Sequence, residues 1–130
     1  MESKFNYKNF SIVIPIYNEE EILEESTNAI FSLCKRMEID FEIIFSENGS
    51  TDKTKAIAEE LTNKHPEIKI ISNPEPNYGN ALKTGFKIAK NDLVISFDID
   101  YYSESFLSEA LKLESEYSGI TASKRLGSSE

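Results

Sequence analysis

The sequence predicts an α/β fold in which an open, mostly parallel sheet carries helices on both faces. Short apolar runs rich in β-branched residues alternate along the chain with longer segments whose apolar residues recur at helical spacing. Such alternation implies right-handed crossovers between parallel strands, with the helices covering the sheet. The 130 residues, 39% of them apolar, are enough for the core of one ordinary domain.

The charge and the cysteine content exclude several classes of protein. The net charge of −9 opposes binding to nucleic acid or to an anionic membrane surface. The single cysteine, Cys34, cannot form an internal disulfide, and no run approaches the length of a membrane span. We therefore expect one soluble, cytoplasmic domain over residues 1–130, with loose ends at 1–9 and 127–130 and no nucleic-acid partner.

The first strand and the first helix follow from the first forty residues. The run over 10–17 is short, β-branched and apolar, which is typical of a strand buried on both faces. Pro15 has no backbone N–H to donate, so it must lie near the end of that strand. From Glu19 onward apolar residues recur at helical spacing as far as Met37, which predicts a long amphipathic helix.

The later elements continue the alternation. Residues 41–47 predict the second strand, and 48–52 a turn leading into a helix that Ser50 or Thr51 would cap. The remaining elements are a strand over 68–72, a helix over 79–90, a strand over 93–98, a helix around 106–111 and a short strand near Ile120.

Carboxylates follow three of the first four predicted strands, as Glu19, Glu47 and the pair Asp98 and Asp100. In an open parallel sheet, ligands bind beyond the carboxyl ends of the strands. If the backbone stays extended from Asp98 to Asp100, both carboxylates project to one side, roughly 6 to 7 Å apart at Cα. Hard oxygen ligands of this kind select Mg²⁺ or Mn²⁺. We therefore expect a divalent ion there.

A phosphate ligand would need positive charge at this edge. The sequence contains neither of the common glycine-rich phosphate cradles, G-x-x-x-x-G-K-[ST] and G-x-G-x-x-G. A nucleoside diphosphate would therefore meet an acidic site, and the divalent ion must supply the missing charge. Lys124 and Arg125, just past the last predicted strand, offer a second clamp.

Five short motifs, in order along the chain, resemble the family 2 glycosyltransferases with the A-type nucleotide-sugar fold, including polyprenyl-phosphate sugar transferases. They lie at 12–20, 47–52, 77–85, 98–100 and 121–125. The resemblance spans nearly the whole chain and implies a Rossmann-like nucleotide-diphospho-sugar transferase fold. It also implies transfer of a sugar from a UDP- or GDP-linked donor to an acceptor glycan or a polyprenyl phosphate.

The same resemblance implies roles for individual residues. Asp100 would ligate the metal ion that bridges the diphosphate, and Asp98 would meet the ribose or a metal-bound water. Glu47 would occupy the position where the family usually has an aspartate that contacts the base. The residues assigned to nucleotide binding are Pro15, Tyr17, Glu19, Glu47, Gly49, Asp98 and Arg125, and those assigned to the metal are Asp98 and Asp100.

Two motifs depart from the family pattern. Glu47 and Asn48 stand where paired aspartates are common, and Gly79-Asn80-Ala81 stands where Gly-Lys-Gly is common. Members of the family are usually longer, and their later part supplies the catalytic base and the acceptor site. We therefore expect the base beyond residue 130, together with a region that could bring the protein to the inner face of the membrane.

Two other functions compete with the transferase. The first is a half that binds a nucleotide sugar without turnover and needs a missing C-terminal part or a partner chain. The second is a phosphoacceptor receiver domain, which resembles this chain in length, acidity and alternation. That family requires an aspartate at the end of the third strand, where this sequence has Ser72.

Overall fold

The computed structural model describes residues 8–74, 77–100, 104–111 and 121–124, and strands and helices alternate throughout this part of the chain. The strands are β1 (Asn9–Ile16), β2 (Asp40–Glu47), β3 (Ile68–Ser72), β4 (Val94–Phe97) and β5 (Thr121–Lys124). The helices are α1 (Leu23–Met37), α2 (Thr54–Lys64), α3 (Tyr78–Ile88) and α4 (Glu104–Leu111).

The five strands form one parallel sheet in the order β3-β2-β1-β4-β5, which confirms the predicted architecture. β1 is central: it pairs with β2 along its whole length and with β4 over Ser11–Val13. The order matches the first five strands of the Rossmann order 3-2-1-4-5-6, whereas receiver domains have the order 2-1-3-4-5. The strand order reverses between β1 and β4, so the ligand crevice is expected at the carboxyl ends of these two strands.

Helices cover both faces of the sheet, as predicted. On one face, alternate residues of β1, β2 and β4 form the larger core with Leu23 of α1, Leu61 of α2 and Leu107 of α4. On the other face, the smaller core contains Val13 and Ile44 and is covered by α3. None of the helices in the described ranges is both long enough and apolar enough to cross a membrane.

Gly85 brings α3 very close to β1. A Cβ atom placed on this glycine would overlap the Cγ1 atom of Val13 and lie 3.3 Å from its Cγ2 atom. Ala81, one turn earlier, is also buried. Small residues on the inner face of α3 therefore allow the helix to lie against the centre of the sheet.

Three predicted boundaries were wrong. The long helix begins at Leu23 rather than Glu19, because the backbone first makes a turn in which the Glu19 carbonyl accepts from Ile22 and Leu23. Asn9 opens β1 instead of belonging to a loose end, whereas 1–7 and 125–130 lie outside the described residues. β4 is shorter than predicted, ending at Phe97.

The predicted cap of α2 was also wrong. The helix begins at Thr54, and the residue before it makes no side-chain capping bond. The carboxylate of Asp52 accepts from the Thr54 N–H at 2.8 Å. The hydroxyls of Ser50 and Thr51, expected to cap this helix, bond instead to Asn18 in the loop that follows β1. Hydrogen bonds to a distant loop thus replace the capping bonds that local sequence rules predict for these hydroxyls.

Candidate functional site

Hydrogen bonds join the loop after β1 to the loop after β2. Asn18 has a φ of 52°, a left-handed conformation that asparagine tolerates better than most residues. Its N–H donates to Ser50 Oγ at 3.0 Å, and its Oδ1 accepts from the Thr51 N–H at 2.8 Å. Sequence analysis did not assign Asn18 a role, although an asparagine at a strand end is a signal for such a turn.

The junction of the two loops continues toward α2. The Glu19 N–H donates to Thr54 Oγ1 at 2.7 Å, and the Glu20 N–H donates to Asp52 Oδ2 at 3.3 Å. In return, the carboxylate of Glu20 accepts from the Lys53 N–H at 3.1 Å. These reciprocal bonds fix the position of Glu19 at the carboxyl end of the sheet.

The predicted nucleoside residues differ in how far they are exposed. Pro15 is buried in β1, and Tyr17 is 42% exposed just beyond it. Glu47 is 2% exposed, and its Oε2 accepts from the Ser50 N–H at 2.5 Å, so this carboxylate closes its own turn. Gly49 lies in that turn with a φ of 73°, a conformation that favours glycine. Tyr17 is thus the one of these side chains most available to a ligand.

A chain of hydrogen bonds links the end of β2 to the end of β4 through the start of α3. Asn48 Oδ1 accepts from the Asn77 N–H at 2.7 Å, and Asn77 Oδ1 caps α3 by accepting from the Asn80 N–H at 3.0 Å. Tyr78 then donates its hydroxyl to Asp98 Oδ1 at 3.2 Å. Sequence analysis missed this contact, because no local pattern relates residues 20 positions apart.

The backbone after β4 does not stay extended. β4 ends at Phe97, and residues 99–100 form a turn, so the spacing expected for an extended Asp98–Asp100 segment does not apply. Ile99 is fully buried in the larger core, whereas Asp98 is half-buried and Asp100 is exposed. The buried isoleucine anchors the turn, and the two carboxylates flank it on the accessible side.

Carboxylates from several loops act on one another at this edge. The pKa of Glu19 is raised, chiefly by its partial burial and then by the negative charges of Asp100, Asp98 and Asp52. The ion pairs among the described residues involve Glu24, Glu42 and Glu67, which lie elsewhere in the chain. The described part of the site therefore carries negative charge that no described cation neutralises.

The carboxylate oxygens suit Mg²⁺ or Mn²⁺. Within the described ranges there is no cluster of three or more histidine, cysteine, aspartate or glutamate side chains arranged to hold a metal ion. Mg²⁺ in nucleotide sites is commonly held by only one or two carboxylates, with water and substrate phosphates completing its shell. Two aspartates in a field of uncompensated negative charge fit that requirement.

The predicted basic clamp is only partly described. Lys124 ends β5 and pairs in register with Phe97, which places its backbone beside the carboxyl end of β4. Arg125 lies outside the described residues. The structure thus brings the last strand to the expected edge of the site.

The fold of this chain is similar to that of a solved sugar transferase. The chain superposes on the mannosyltransferase PcManGT from Pyrobaculum calidifontis, solved in complex with GDP-Man and Mn²⁺, with a TM-score of 0.67. The match covers 85% of this chain and 33% of that protein at 23% identity, so it shows the fold. The family described as glycosyl transferase family 2 matches residues 11–117, and the chain belongs to this family.

Two similar relatives are undecaprenyl-phosphate sugar transferases. The chain is 38% identical over 92 residues to an undecaprenyl-phosphate 4-deoxy-4-formamido-L-arabinose transferase from Proteus mirabilis (strain HI4320). It is 38% identical over 94 residues to the enzyme of the same name from Pseudomonas fluorescens (strain Pf0-1). These matches cover 69% of this chain but only 28% and 27% of the relatives, so the chain spans less than a third of their length.

Proposed function

We propose that this chain is the nucleotide-sugar-binding part of a metal-dependent glycosyltransferase. The reaction is transfer of a sugar from a UDP- or GDP-linked donor to an acceptor glycan or a polyprenyl phosphate. The observation that carries the proposal is the set of uncompensated carboxylates at the carboxyl ends of β1 and β4, where burial and then the charges of Asp100 and Asp98 raise the pKa of Glu19. Family membership and the Mn²⁺ and GDP-Man in the similar mannosyltransferase support it.

The metal role belongs to Asp98 and Asp100. They would hold Mg²⁺ or Mn²⁺, which supplies positive charge to the diphosphate leaving group. The hydroxyl of Tyr78 restrains one oxygen of Asp98, so that a free oxygen of this carboxylate remains for the ion. Because Asp98 lies next to buried Ile99, the pair is fixed to the core rather than to a freely moving loop.

The remaining predicted residues would bind the nucleotide or shape its site. The exposed ring of Tyr17 and the carboxylate of Glu19 would line the nucleoside site, and Gly49 lets the backbone approach the ligand closely. Pro15 and Glu47, both buried, would shape the site by holding the strand end and the turn. Arg125, in the segment after β5, would add a cationic contact to the diphosphate.

A second candidate function is binding of the nucleotide sugar without turnover. It is favoured by the short share of the relatives that this chain covers and by the expectation that the catalytic base lies beyond residue 130. In that case a further part of the protein or a partner chain supplies the base and the acceptor site. The proposed location is the cytoplasm or the inner face of the membrane, where a polyprenyl phosphate is accessible.

The test is isothermal titration with UDP and GDP, with and without Mn²⁺. We expect metal-dependent heat for one of the two nucleotides, lost in Asp98→Asn and Asp100→Asn. The matched control is Asp92→Asn, which removes an exposed carboxylate just before β4, at the opposite edge of the sheet. Absence of metal-dependent heat for both nucleotides would refute the proposal. If binding occurs, an assay for sugar transfer and donor hydrolysis separates the enzyme from the binding part.

A further inference from the structure

Asn18 lies between the two residues of the loop after β1 that the proposed function assigns to the nucleoside. Tyr17 precedes it and is exposed, and Glu19 follows it at the carboxyl end of the sheet. The φ of 52° at Asn18 turns the chain out of the strand, and the Glu19 carbonyl then accepts from the N–H groups of Ile22 and Leu23. The conformation of this one residue therefore sets the directions in which both neighbours leave the sheet.

The side chain of Asn18 does more than tolerate this φ. A glycine would adopt the same conformation without strain, but it has no side-chain acceptor. Asn18 Oδ1 accepts from the Thr51 N–H at 2.8 Å and from the Thr51 hydroxyl at 3.4 Å. The Asn18 N–H donates to Ser50 Oγ at 3.0 Å. Asn18 thus holds the turn after β2 through both its backbone and its side chain.

The hydrogen bonds of Asn18 reach a third predicted nucleoside residue through Ser50. The Ser50 N–H donates to the buried carboxylate of Glu47, and the Ser50 hydroxyl accepts from Asn18. Tyr17 and Glu19 on one loop and Glu47 on the other are therefore connected through only two residues, Asn18 and Ser50. A change at Asn18 would reach all three.

We propose that Asn18 is the positioning residue of the nucleoside site, an inference that rests on the proposed function. It fixes the loop after β1 on the turn after β2, so that Tyr17 and Glu19 meet the nucleoside in one arrangement. Its hydrogen bonds lie at the exposed surface, where water competes for the same groups and such bonds add little to global stability. Their effect is on the order of the loop. A loop that occupies the competent arrangement only part of the time binds its ligand more weakly in proportion.

Variants at position 18 separate the backbone conformation from the side-chain acceptor. Asn18→Gly keeps access to the positive φ and removes Oδ1, whereas Asn18→Asp keeps an acceptor oxygen and also tolerates this φ. The matched control is Asn63→Gly, which removes the same side chain from an exposed position in the last turn of α2. That turn precedes β3 and lies at the opposite edge of the sheet.

The experiment compares UDP and GDP with inorganic pyrophosphate, all with Mn²⁺, in isothermal titration of the 130-residue chain. Pyrophosphate offers the metal site similar phosphate chemistry without a nucleoside. We expect the wild type to bind one nucleotide more tightly than pyrophosphate. Asn18→Gly should lose about tenfold of the nucleotide affinity, because one hydrogen bond and part of the order of the loop are lost, and should keep its pyrophosphate affinity. The control should match the wild type.

The ratio of nucleotide affinity to pyrophosphate affinity is the decisive quantity, because a general structural defect would weaken both ligands. Asn18→Asp should restore this ratio, since its added charge acts on both. An unchanged ratio in Asn18→Gly, equal losses for both ligands, or a wild type that binds pyrophosphate as tightly as nucleotide would overturn the proposal.

Hydrogen exchange tests the loop contact without any ligand. We expect the Thr51 amide to exchange slowly in the wild type and in Asn63→Gly, and about tenfold faster in Asn18→Gly at an unchanged urea midpoint. Equal exchange in all three would overturn the proposal. The proposed function fails separately, through the absence of metal-dependent nucleotide heat in the wild type, whereas the role of Asn18 fails in a wild type that does bind nucleotide.

Discussion

Replacing Gly85 with alanine tests how closely α3 packs on the sheet. The new Cβ would overlap Cγ1 of Val13 and lie 3.3 Å and 3.4 Å from its Cγ2 and Cβ. Val13 is fully buried in the central strand, which is paired on both sides, so it has little room to move. Overpacking of this kind costs about 1–3 kcal/mol, while alanine returns about 1 kcal/mol of helix propensity. Because the overlap with Cγ1 is severe, the cost lies in the upper part of this range, and we expect a net loss of about 1–2 kcal/mol.

Urea denaturation of a double-mutant cycle measures this contact directly. Val13→Ala alone should cost about 1.5–3 kcal/mol, from the two lost methyl groups and the space they leave. In the double variant the alanine Cβ at position 85 fills part of that space. The stability lost in the double variant should therefore be smaller than the sum of the losses in the two single variants, by about 1 kcal/mol or more. Additive losses, or a Gly85→Ala variant as stable as the wild type, would show that the helix does not approach the strand so closely.

Three further predictions concern the site and the core. Tyr78→Phe removes the hydroxyl that donates to Asp98, and we expect Mn²⁺ affinity in isothermal titration to fall about tenfold at an unchanged urea midpoint; unchanged affinity would contradict this. Burial opposes ionisation of Glu42, but hydrogen bonds led by that from Lys69 outweigh it and hold its pKa below the ordinary value. Glu42→Gln should therefore cost about 1–3 kcal/mol of unfolding free energy at neutral pH. In a pH series of urea titrations, the difference from wild type should shrink below about pH 4, because a carboxyl whose pKa is lowered by folding stops stabilising the fold as the pH falls through its folded pKa. A difference that does not change with pH would refute this prediction. Burial raises the pKa of Cys34 to about 12, so a disulfide reagent should label the native chain only as fast as it opens and label it rapidly in urea; rapid native labelling would show that the thiol is exposed.

The sequence predicts the strands and helices well, because apolar periodicity records burial directly. The alternation of β-branched runs with helical stripes suffices for the parallel sheet and for helices on both faces. Local rules fail where a tertiary partner competes for the same group. Ser50 and Thr51 are good capping residues, but the Ser50 hydroxyl accepts from the Asn18 N–H and the Thr51 hydroxyl donates to Asn18 Oδ1. The extended path assumed for Asp98–Asp100 fails because Ile99 turns into the core once β4 has ended.

The carboxylates at the carboxyl ends of the strands repel one another, so a ligand that binds there must bring positive charge. Glu19 resists ionisation first because it is partly buried and then because Asp100, Asp98 and Asp52 lie near it, and the repulsion among these carboxylates lowers the stability of the free chain. A divalent ion bound to the native chain would relieve that repulsion, and by linkage it would stabilise the fold by as much as its binding is favourable. A diphosphate alone would increase the repulsion. Metal and nucleotide should therefore bind cooperatively, each more tightly in the presence of the other.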